Sequence, residues 1–356
     1  MNVFLHTFGC KANQYDTEVV RQRLEDAGCT IVAAPEAADA AVVNSCTVTH
    51  VGEGKMRGLV RRIARRRPGL QTVVMGCAAA LDDGRIASLP SVRAVVGGAD
   101  PERVADALGV GGGPAAALRG YRDSSRAWLK VQDGCDEHCT FCATTLARGA
   151  NVSREPEAIV AEARLLAARH AELVLTGVHV GTYGRDRGDG WSLARLAALL
   201  IERVPGVRLR LSSVEATEVD DLLESLMADA PERLAPHLHA PLQSGSDRVL
   251  KRMGRHWYTA ARYRRRVERL AERVRPLGLG ADLIVGFPGE TDADYRASVA
   301  LVEALPFTYL HVFPYSPRTA TAAPHLGAPP HPDIVRERSA ELRDVAARKQ
   351  ALHRAA

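Results

Sequence analysis

Trp128-Leu129-Lys130-Val131-Gln132 reads as a strand, and it runs directly into Gly134-Cys135-Asp136-Glu137-His138-Cys139-Thr140-Phe141-Cys142. The three cysteines lie in one tight loop at the carboxyl end of that strand, the place where α/β barrels carry their chemistry. Soft thiolate ligands suit iron–sulfur clusters, and three of them account for three irons of a [4Fe–4S] cluster. The fourth iron then has no protein ligand and is open to the amino and carboxylate groups of S-adenosylmethionine. One electron from such a cluster breaks the carbon–sulfur bond of the sulfonium and yields a 5′-deoxyadenosyl radical. Structural zinc is the competing reading. It needs a fourth ligand in a paired spacing, and His138, inside the loop, is the one obvious further donor.

Beyond the loop the sequence alternates. Strands are expected at 128–132, 172–176, 207–212, 236–241, 280–285 and 309–313, with helices at 155–170, 192–204, 218–230, 259–274 and 292–305. Six strand–helix units predict a partial (β/α)6 barrel over residues 127–320 rather than a complete eight-stranded one. Residues 321–356 read as a loop rich in proline and alanine followed by one charged helix. On the amino-terminal side, residues 111–126 are glycine-rich and polar, as a linker is. Residues 1–110 alternate again, with strands at 3–8, 40–44 and 72–76 and helices at 14–27, 50–67 and 101–108. That alternation predicts an open parallel α/β sheet, so the fold class is α/β in two domains.

Cys10, Cys46 and Cys77 are far apart in sequence, but each follows a predicted strand: HTFGCK, VVNSCT and VMGCAA. The carboxyl ends of parallel strands line one edge of a sheet, so the three thiols are expected to converge in a crevice there. Gly9, Asn44 and Gly76 fit loops that turn closely around a bulky ligand. Two readings stand: a second [4Fe–4S] cluster with an open iron, or three small buried residues of the kind cysteine often supplies. Cys29, in DAGCTIV, reads as packing.

Composition sets outer bounds. A hydrophobic content of 46% with 25% charged residues is that of a globular protein. No apolar run reaches the length of a membrane span, and MNVFLHTFGCK lacks the form of a signal peptide. No membrane partner and a cytoplasmic location are therefore expected, and reduced thiols there favour metal binding or catalysis over disulfides. The net charge of +5 permits a nucleic-acid partner without demanding one. Two arginine-rich stretches, 57–67 and 251–266, are candidates for phosphate contact, or simply solvated helix faces.

At this point the chain resembles the methylthiotransferases of the radical-SAM superfamily, over nearly its whole length. The shared segments are TFGCKANQYDTE (7–18), VVNSCTVT (42–49), KVQDGCDEHCTFC (130–142), LTGVHVGTYG (175–184), PLQSGSDRVLKRMGR (241–255) and DLIVGFPGET (282–291). Gly9-Cys10-Lys11 with Asn13-Gln14-Tyr15-Asp16-Thr17-Glu18 looks most like the branch acting on N6-threonylcarbamoyladenosine at position 37 of tRNA. The resemblance implies two [4Fe–4S] clusters, held by Cys10, Cys46 and Cys77 and by Cys135, Cys139 and Cys142. It implies two molecules of S-adenosylmethionine, one methylating a sulfur at the first cluster and one giving the radical at the second. Segments expected to border S-adenosylmethionine contain Phe141, Thr176, Gly177, Ser213, Glu215, Val285 and Gly286, with Glu215 on the ribose hydroxyls or, alternatively, capping the next helix. Implied partners are the anticodon loop of tRNA, a reductase or a flavodoxin- or ferredoxin-type electron donor, and a sulfur source. The branch modifying isopentenyladenosine is the runner-up. A cluster-containing RNA-binding or redox protein without catalysis is the alternative from another class.

Two departures from the family pattern stand out. Ala143-Thr144-Thr145-Leu146-Ala147-Arg148-Gly149 replaces the usual bulky apolar residues and proline before Ala-Arg-Gly. The small β-barrel RNA-binding domain called TRAM, which generally follows in the family, is expected to be absent.

Overall fold

The computed structural model describes residues 1–111, 117–122 and 124–355, and the chain divides into two compact units, Met1–Asp136 with Ala143–Val178 and Glu137–Cys142 with His179–Ala356.

The first unit opens with β1 (Asn2–Thr7), α1 (Lys11–Asp26), β2 (Thr30–Val32), β3 (Ala40–Ser45) and α2 (His50–Arg66). It continues through β4 (Gln71–Gly76), α3 (Cys77–Ala80), β5 (Val92–Gly97) and α4 (Pro101–Leu108). The five strands form one parallel sheet in the order β2-β1-β3-β4-β5. Every residue of β3 is buried, as a central parallel strand covered on both faces requires. Alternation along the strands sorts the core into two layers. Phe4, Ala41, Val43 and Val74 face Met56, Val60 and Ile63 of α2. Val3, Val42, Val73 and Met75 face Val20 and Leu24 of α1 and Val104 of α4. The strand order reverses between β1 and β3, and in open sheets ligands bind at the carboxyl ends beside that reversal. Cys10 and Cys46 leave from those two strands.

The two edge strands β2 and β5 are not among those expected from the sequence. One has three residues and the other places Arg93 inside its run, so neither shows a clean apolar pattern. Helix α1 starts at Lys11 rather than at 14, because the chain turns at Gly9 and Cys10 is already its N-cap. The expected linker, 111–126, falls partly outside the described residues (112–116 and 123). Its described part is tied down: Gln22 holds the Ala117 carbonyl and the Arg119 N–H, and Leu118 is 1% exposed.

The same unit contains β6 (Arg126–Lys130), β7 (Gln132–Asp133), α5 (Thr144–Arg148), β8 (Val152–Ser153), α6 (Pro156–Ala167) and β9 (Glu172–Thr176). β6 pairs with β9 in parallel, and β7 with β8 antiparallel. The strand expected at 128–132 therefore starts earlier and breaks at Val131, whose N–H goes to the Thr176 carbonyl.

The second unit runs α7 (Leu193–Arg203), β10 (Arg208–Leu211), α8 (Asp221–Asp229), β11 (His237–His239), α9 (Asp247–Arg252), α10 (Ala260–Arg273), β12 (Gly278–Val285), α11 (Asp292–Ala304), β13 (Tyr309–Pro314) and α12 (Pro332–Ala355). β11, β12 and β13 pair in parallel, and the bridges Leu209–Leu234 and Ser213–His239 extend the same direction to the β10 segment. Leu209, Leu238, Leu279, Ala281 and Leu283 are almost wholly buried and form one face of these strands. Their alternate neighbours, His237, His239, Asp282, Tyr309 and His311, form the other. The six strands expected beyond residue 127 are all present, and the α/β class is the one observed.

Candidate functional site

In the first unit Cys10, Cys46 and Cys77 are gathered around one side chain, Asn13. Its amide nitrogen donates to the Phe8 carbonyl (2.9 Å) and the Ser45 carbonyl (3.0 Å), which ties α1 to the ends of β1 and β3. Its Oδ1 therefore points at the thiols and lies 3.8 Å from Cys10 Sγ and 3.7 Å from Cys77 Sγ. Cys46 approaches from the third side. Gly9 has φ of 117°, and a β-carbon there would sit 3.0 Å from Cys46 Cβ and 2.7 Å from the Asn13 amide. Gly76 is equally constrained: at φ 95° a β-carbon would meet Asn44 Oδ1 at 2.2 Å. Asn44 in turn donates to the Asn13 carbonyl (2.8 Å) and Thr17 Oγ1 (3.0 Å). The convergence expected from strand ends is thus observed, with Cys46 and Cys77 buried and Cys10 exposed.

The sequence reading missed what lies beside the thiols. Arg148, on α5, places Nε 3.2 Å from Cys77 Sγ. Its Nη1 donates to both oxygens of Asp133 (2.9 Å each), and its Nη2 to Asn13 Oδ1 (2.8 Å) and Asp16 Oδ2 (2.7 Å). Lys130 Nζ joins the same two acids, at 2.5 Å from Asp16 and 2.9 Å from Asp133. Burial pushes the Cys77 thiol up to about 11, although Arg148 pulls the other way. Burial also pushes the Asp133 carboxyl up, but Lys130 and Arg148 outweigh it and hold that carboxyl below its usual range. The available signals were Asp16 inside NQYDTE and Asp133 just before Gly134-Cys135.

Cys135 also belongs to the first unit, and its N–H donates to the Gly149 carbonyl (3.0 Å). Gly134 must be glycine: at φ 71° a β-carbon would lie 1.8 Å from the Ala150 carbonyl oxygen. Gln132 knits this end of the loop by donating to the carbonyls of Asp133 and Gly134 and to Asn151 Oδ1 (2.7 Å). Its Oε1 accepts the Val178 N–H (3.0 Å), fixing the turn that carries Thr176 and Gly177.

The second unit holds Cys139 and Cys142, joined by a Cys142 N–H to Cys139 carbonyl bond (3.0 Å). Thr140 anchors them, giving its N–H to the Met253 carbonyl (2.9 Å) and its hydroxyl to the Arg252 carbonyl (2.9 Å). Phe141 packs against Val249, Met253 and Phe287. All three loop thiols are partly exposed. Burial pushes the Cys139 thiol up to about 12, partly offset by Arg255, whose Nη1 lies 3.5 Å away.

The remaining candidates fall out unevenly. Ser213 bridges by its backbone to His239. The Glu215 carboxylate is gripped by Arg255 at one oxygen and by the Trp257 indole N–H at the other. Glu215 stands at the N-cap position of the short 3-10 turn Ala216–Glu218 without a side-chain cap bond, and α8 is capped by Asp220, which accepts the Leu223 N–H (2.8 Å). Val285 is 1% exposed, and the side-chain direction of Gly286 is filled by Val335, 2.6 Å from where a β-carbon would stand. Gly286 also lines a cavity with Pro288, Pro314 and Tyr315. The arginine stretch 251–266 is divided: Lys251, Arg262, Arg264 and Arg265 are exposed, and the other three arginines are engaged by the protein. Arg252 holds the Pro288 and Leu326 carbonyls, Arg255 holds Glu215, and Arg266 pairs with Glu224 at 2.7 Å. Arg61, Arg62, Arg65 and Arg66 of α2 are exposed.

Residues 2–97 match the family described as Uncharacterized protein family UPF0004, and residues 129–302 match the Radical SAM superfamily. The threonylcarbamoyladenosine tRNA methylthiotransferase MtaB of Bacillus subtilis (strain 168) is 38% identical over 341 residues, covering 90% of this chain and 75% of that protein. The Thermotoga maritima protein of the same name is 39% identical, covering 90% and 76%. A tRNA-2-methylthio-N(6)-dimethylallyladenosine synthase of Jannaschia sp. (strain CCS1) is 35% identical, covering 90% and 74%. Among solved structures, the radical S-adenosylmethionine methyltransferase TsrM of Kitasatospora setae superposes with a TM-score of 0.67 at 15% identity, covering 88% of this chain and 72% of that one. That likeness is one of fold. Two adjoining domain matches, and relatives well above 30% identity over most of the chain, leave one assignment: the chain belongs to the radical-SAM methylthiotransferase family and is MtaB-like within it.

Proposed function

We propose that this enzyme adds a methylthio group to carbon 2 of N6-threonylcarbamoyladenosine at position 37 of tRNA, using two [4Fe–4S] clusters. A radical-SAM enzyme uses S-adenosylmethionine and a [4Fe–4S] cluster, and we assign that cluster to Cys135, Cys139 and Cys142. The second cluster is assigned to Cys10, Cys46 and Cys77. The observation that supports it is the direction of two thiols at one Asn13 oxygen, with Cys46 at the open face of Gly9. Soft donors so gathered suit an iron–sulfur cluster. When bound, the clusters and S-adenosylmethionine supply the radical and the sulfur that replace an unactivated aromatic C–H bond, which polar acid–base catalysis reaches poorly.

The chain's own residues hold and shield. Gln132, Gly134 and Thr140 fix the course of the cysteine loop, and Phe141 anchors it in apolar surroundings. Arg255, in reach of Cys139 and Glu215 together, keeps that acid away from the loop sulfur as a fixed ion pair. Arg148 does the same beside Cys77 with Asp16 and Asp133.

Threonylcarbamoyladenosine carries a carboxylate, whereas isopentenyladenosine is apolar. On the polar strand face that also carries His239, Asp282 and His311, Arg210 and His237 favour the former. The Jannaschia relative keeps isopentenyladenosine as the second reading. A reductase or a flavodoxin- or ferredoxin-type protein as electron donor, a separate sulfur source and a cytoplasmic location belong to the same proposal. Among the described residues no helix is long and apolar enough to cross a membrane.

Iron counting and nucleoside analysis test the two halves. Anaerobically reconstituted protein should hold about eight irons, as two [4Fe–4S] clusters require. Alanine at Cys10, Cys46 and Cys77 should remove half of the iron and spare formation of 5′-deoxyadenosine; full iron content in that variant would defeat the second cluster. Deleting the gene should remove the 2-methylthio group from threonylcarbamoyladenosine in tRNA hydrolysates. Loss from isopentenyladenosine instead would establish the second reading.

A further inference from the structure

We propose that His239, Asp282 and His311 form a binding site for a borderline divalent cation of the zinc class, separate from all six cluster cysteines. The three residues come from three adjacent parallel strands. Asp282 is the register partner of His311, and His239 that of Gly280, two residues before Asp282 on the same face. His239 Nε2 lies 3.0 Å and His311 Nδ1 3.1 Å from the same oxygen, Asp282 Oδ1. One ligand atom from each residue falls within 4.8 Å of the others. Nitrogen and oxygen ligands at zinc distances stand about 3.3 Å apart in a tetrahedral shell, so the cluster is already near that spacing.

The second observation is the orientation of His239. A metal-bound imidazole commonly gives its other N–H to a fixed acceptor, which sets tautomer and ring angle. His239 Nδ1 lies 3.0 Å from the Tyr309 hydroxyl oxygen, and that hydroxyl lies 3.0 Å from His237 Nε2. As it stands Nε2–H of His239 donates to Asp282; with Nδ1–H held by Tyr309 and Tyr309 donating to His237, a cation that displaces the Nε2 proton finds that lone pair already aimed at the Asp282 oxygen. Tyr309 reaches this position because Gly280 leaves room: a β-carbon there would be 2.0 Å from its ring. The site grades outward from buried His239 to exposed His311, which leaves coordination positions for water or an anionic oxygen. Two imidazoles and one carboxylate suit zinc and its neighbours better than magnesium or calcium.

The test uses the iron-loaded protein, equilibrated anaerobically with zinc(II) and desalted, with zinc and iron counted together by mass spectrometry. Wild type should retain one zinc per chain above its iron, and the His239→Ala/His311→Ala pair should retain none while keeping its iron. Because His311 is exposed, His311→Gln alone gives the same reading should the double variant fold poorly. Tyr309→Phe should weaken zinc retention about ten- to a hundredfold at unchanged iron content. Equal zinc in wild type and in His311→Gln, or no zinc above background in wild type, would overturn the site and leave the three residues as a hydrogen-bonded group. Loss of iron would point at the clusters and not at this site.

Discussion

Arg148 shows how much one side chain can organise. Its guanidinium is 7% exposed and meets Asp16, itself 2% exposed, Asp133, Asn13 and Cys77. The planar fork makes this possible, since donors leave it in fixed directions that a lysine ammonium does not reproduce. Removing one partner of a buried charge group leaves the others uncompensated. Arg148→Met should therefore cost about 3 kcal/mol, the lower end for such a loss because Lys130 still contacts both acids. Arg148→Lys should recover only part of it. Urea midpoints of the iron-loaded proteins measure both, and a wild-type midpoint for Arg148→Met would show that the acids need no second cation.

At the scale of elements, α11 depends on its first turn. Thr291 and Asp294 form a reciprocal capping box, and Asp294 also accepts from Ser246 Oγ (2.6 Å) and pairs with Arg248. Burial pushes the Asp294 carboxyl up, but Arg248, Ser246 and Thr291 together hold it well below the usual carboxylate range. A folded value below the unfolded one stabilises the protein above the unfolded value, about 3.9 for aspartate, and that contribution fades as pH falls toward the folded value. Asp294→Asn should thus lower stability by about 1 kcal/mol at pH 7, in line with a lost cap. The gap between variant and wild type should narrow below pH about 4. Denaturation midpoints at several pH values check the sign; a gap that widens in acid would refute the assignment. The acidic end of α11 also faces α12, where Arg338 pairs with buried Glu290 at 2.8 Å.

For the whole molecule the issue is how the proposed tRNA is held. Phosphate contacts supply much of such binding and make it salt-dependent. The sequence offers two arginine stretches, and both keep exposed members, Lys251, Arg262, Arg264 and Arg265 in the second among them. Arg252, Arg255 and Arg266 are engaged with protein acceptors, while Arg61, Arg62, Arg65 and Arg66 form a dense exposed cluster on α2, Arg66 beside Glu36 at 3.1 Å. Glutamate at these four positions should weaken tRNA binding and flatten the log-affinity against log-salt slope by about 0.7 to 0.9 for each phosphate that is no longer neutralised. Filter-binding titrations over a salt series measure this. An unchanged slope would make the α2 face a solvated surface only.

Sequence alone determined the alternation of strands and helices, the α/β class and the family, because hydrophobic period and cysteine spacing are local properties of the chain. It also led to the expectation, from strand ends, that Cys10, Cys46 and Cys77 meet; parallel strands align their carboxyl ends whatever their separation in sequence. Only the tertiary structure decided what surrounds those sites. Arg148 meets Asp16 across 132 residues, and Arg255 meets Glu215 across 40. His239, Asp282 and His311 share one face only through strand register, and their sequence spacings give no sign of it. Buried polar groups must find partners, and where the partner lies far along the chain the choice belongs to the packed fold.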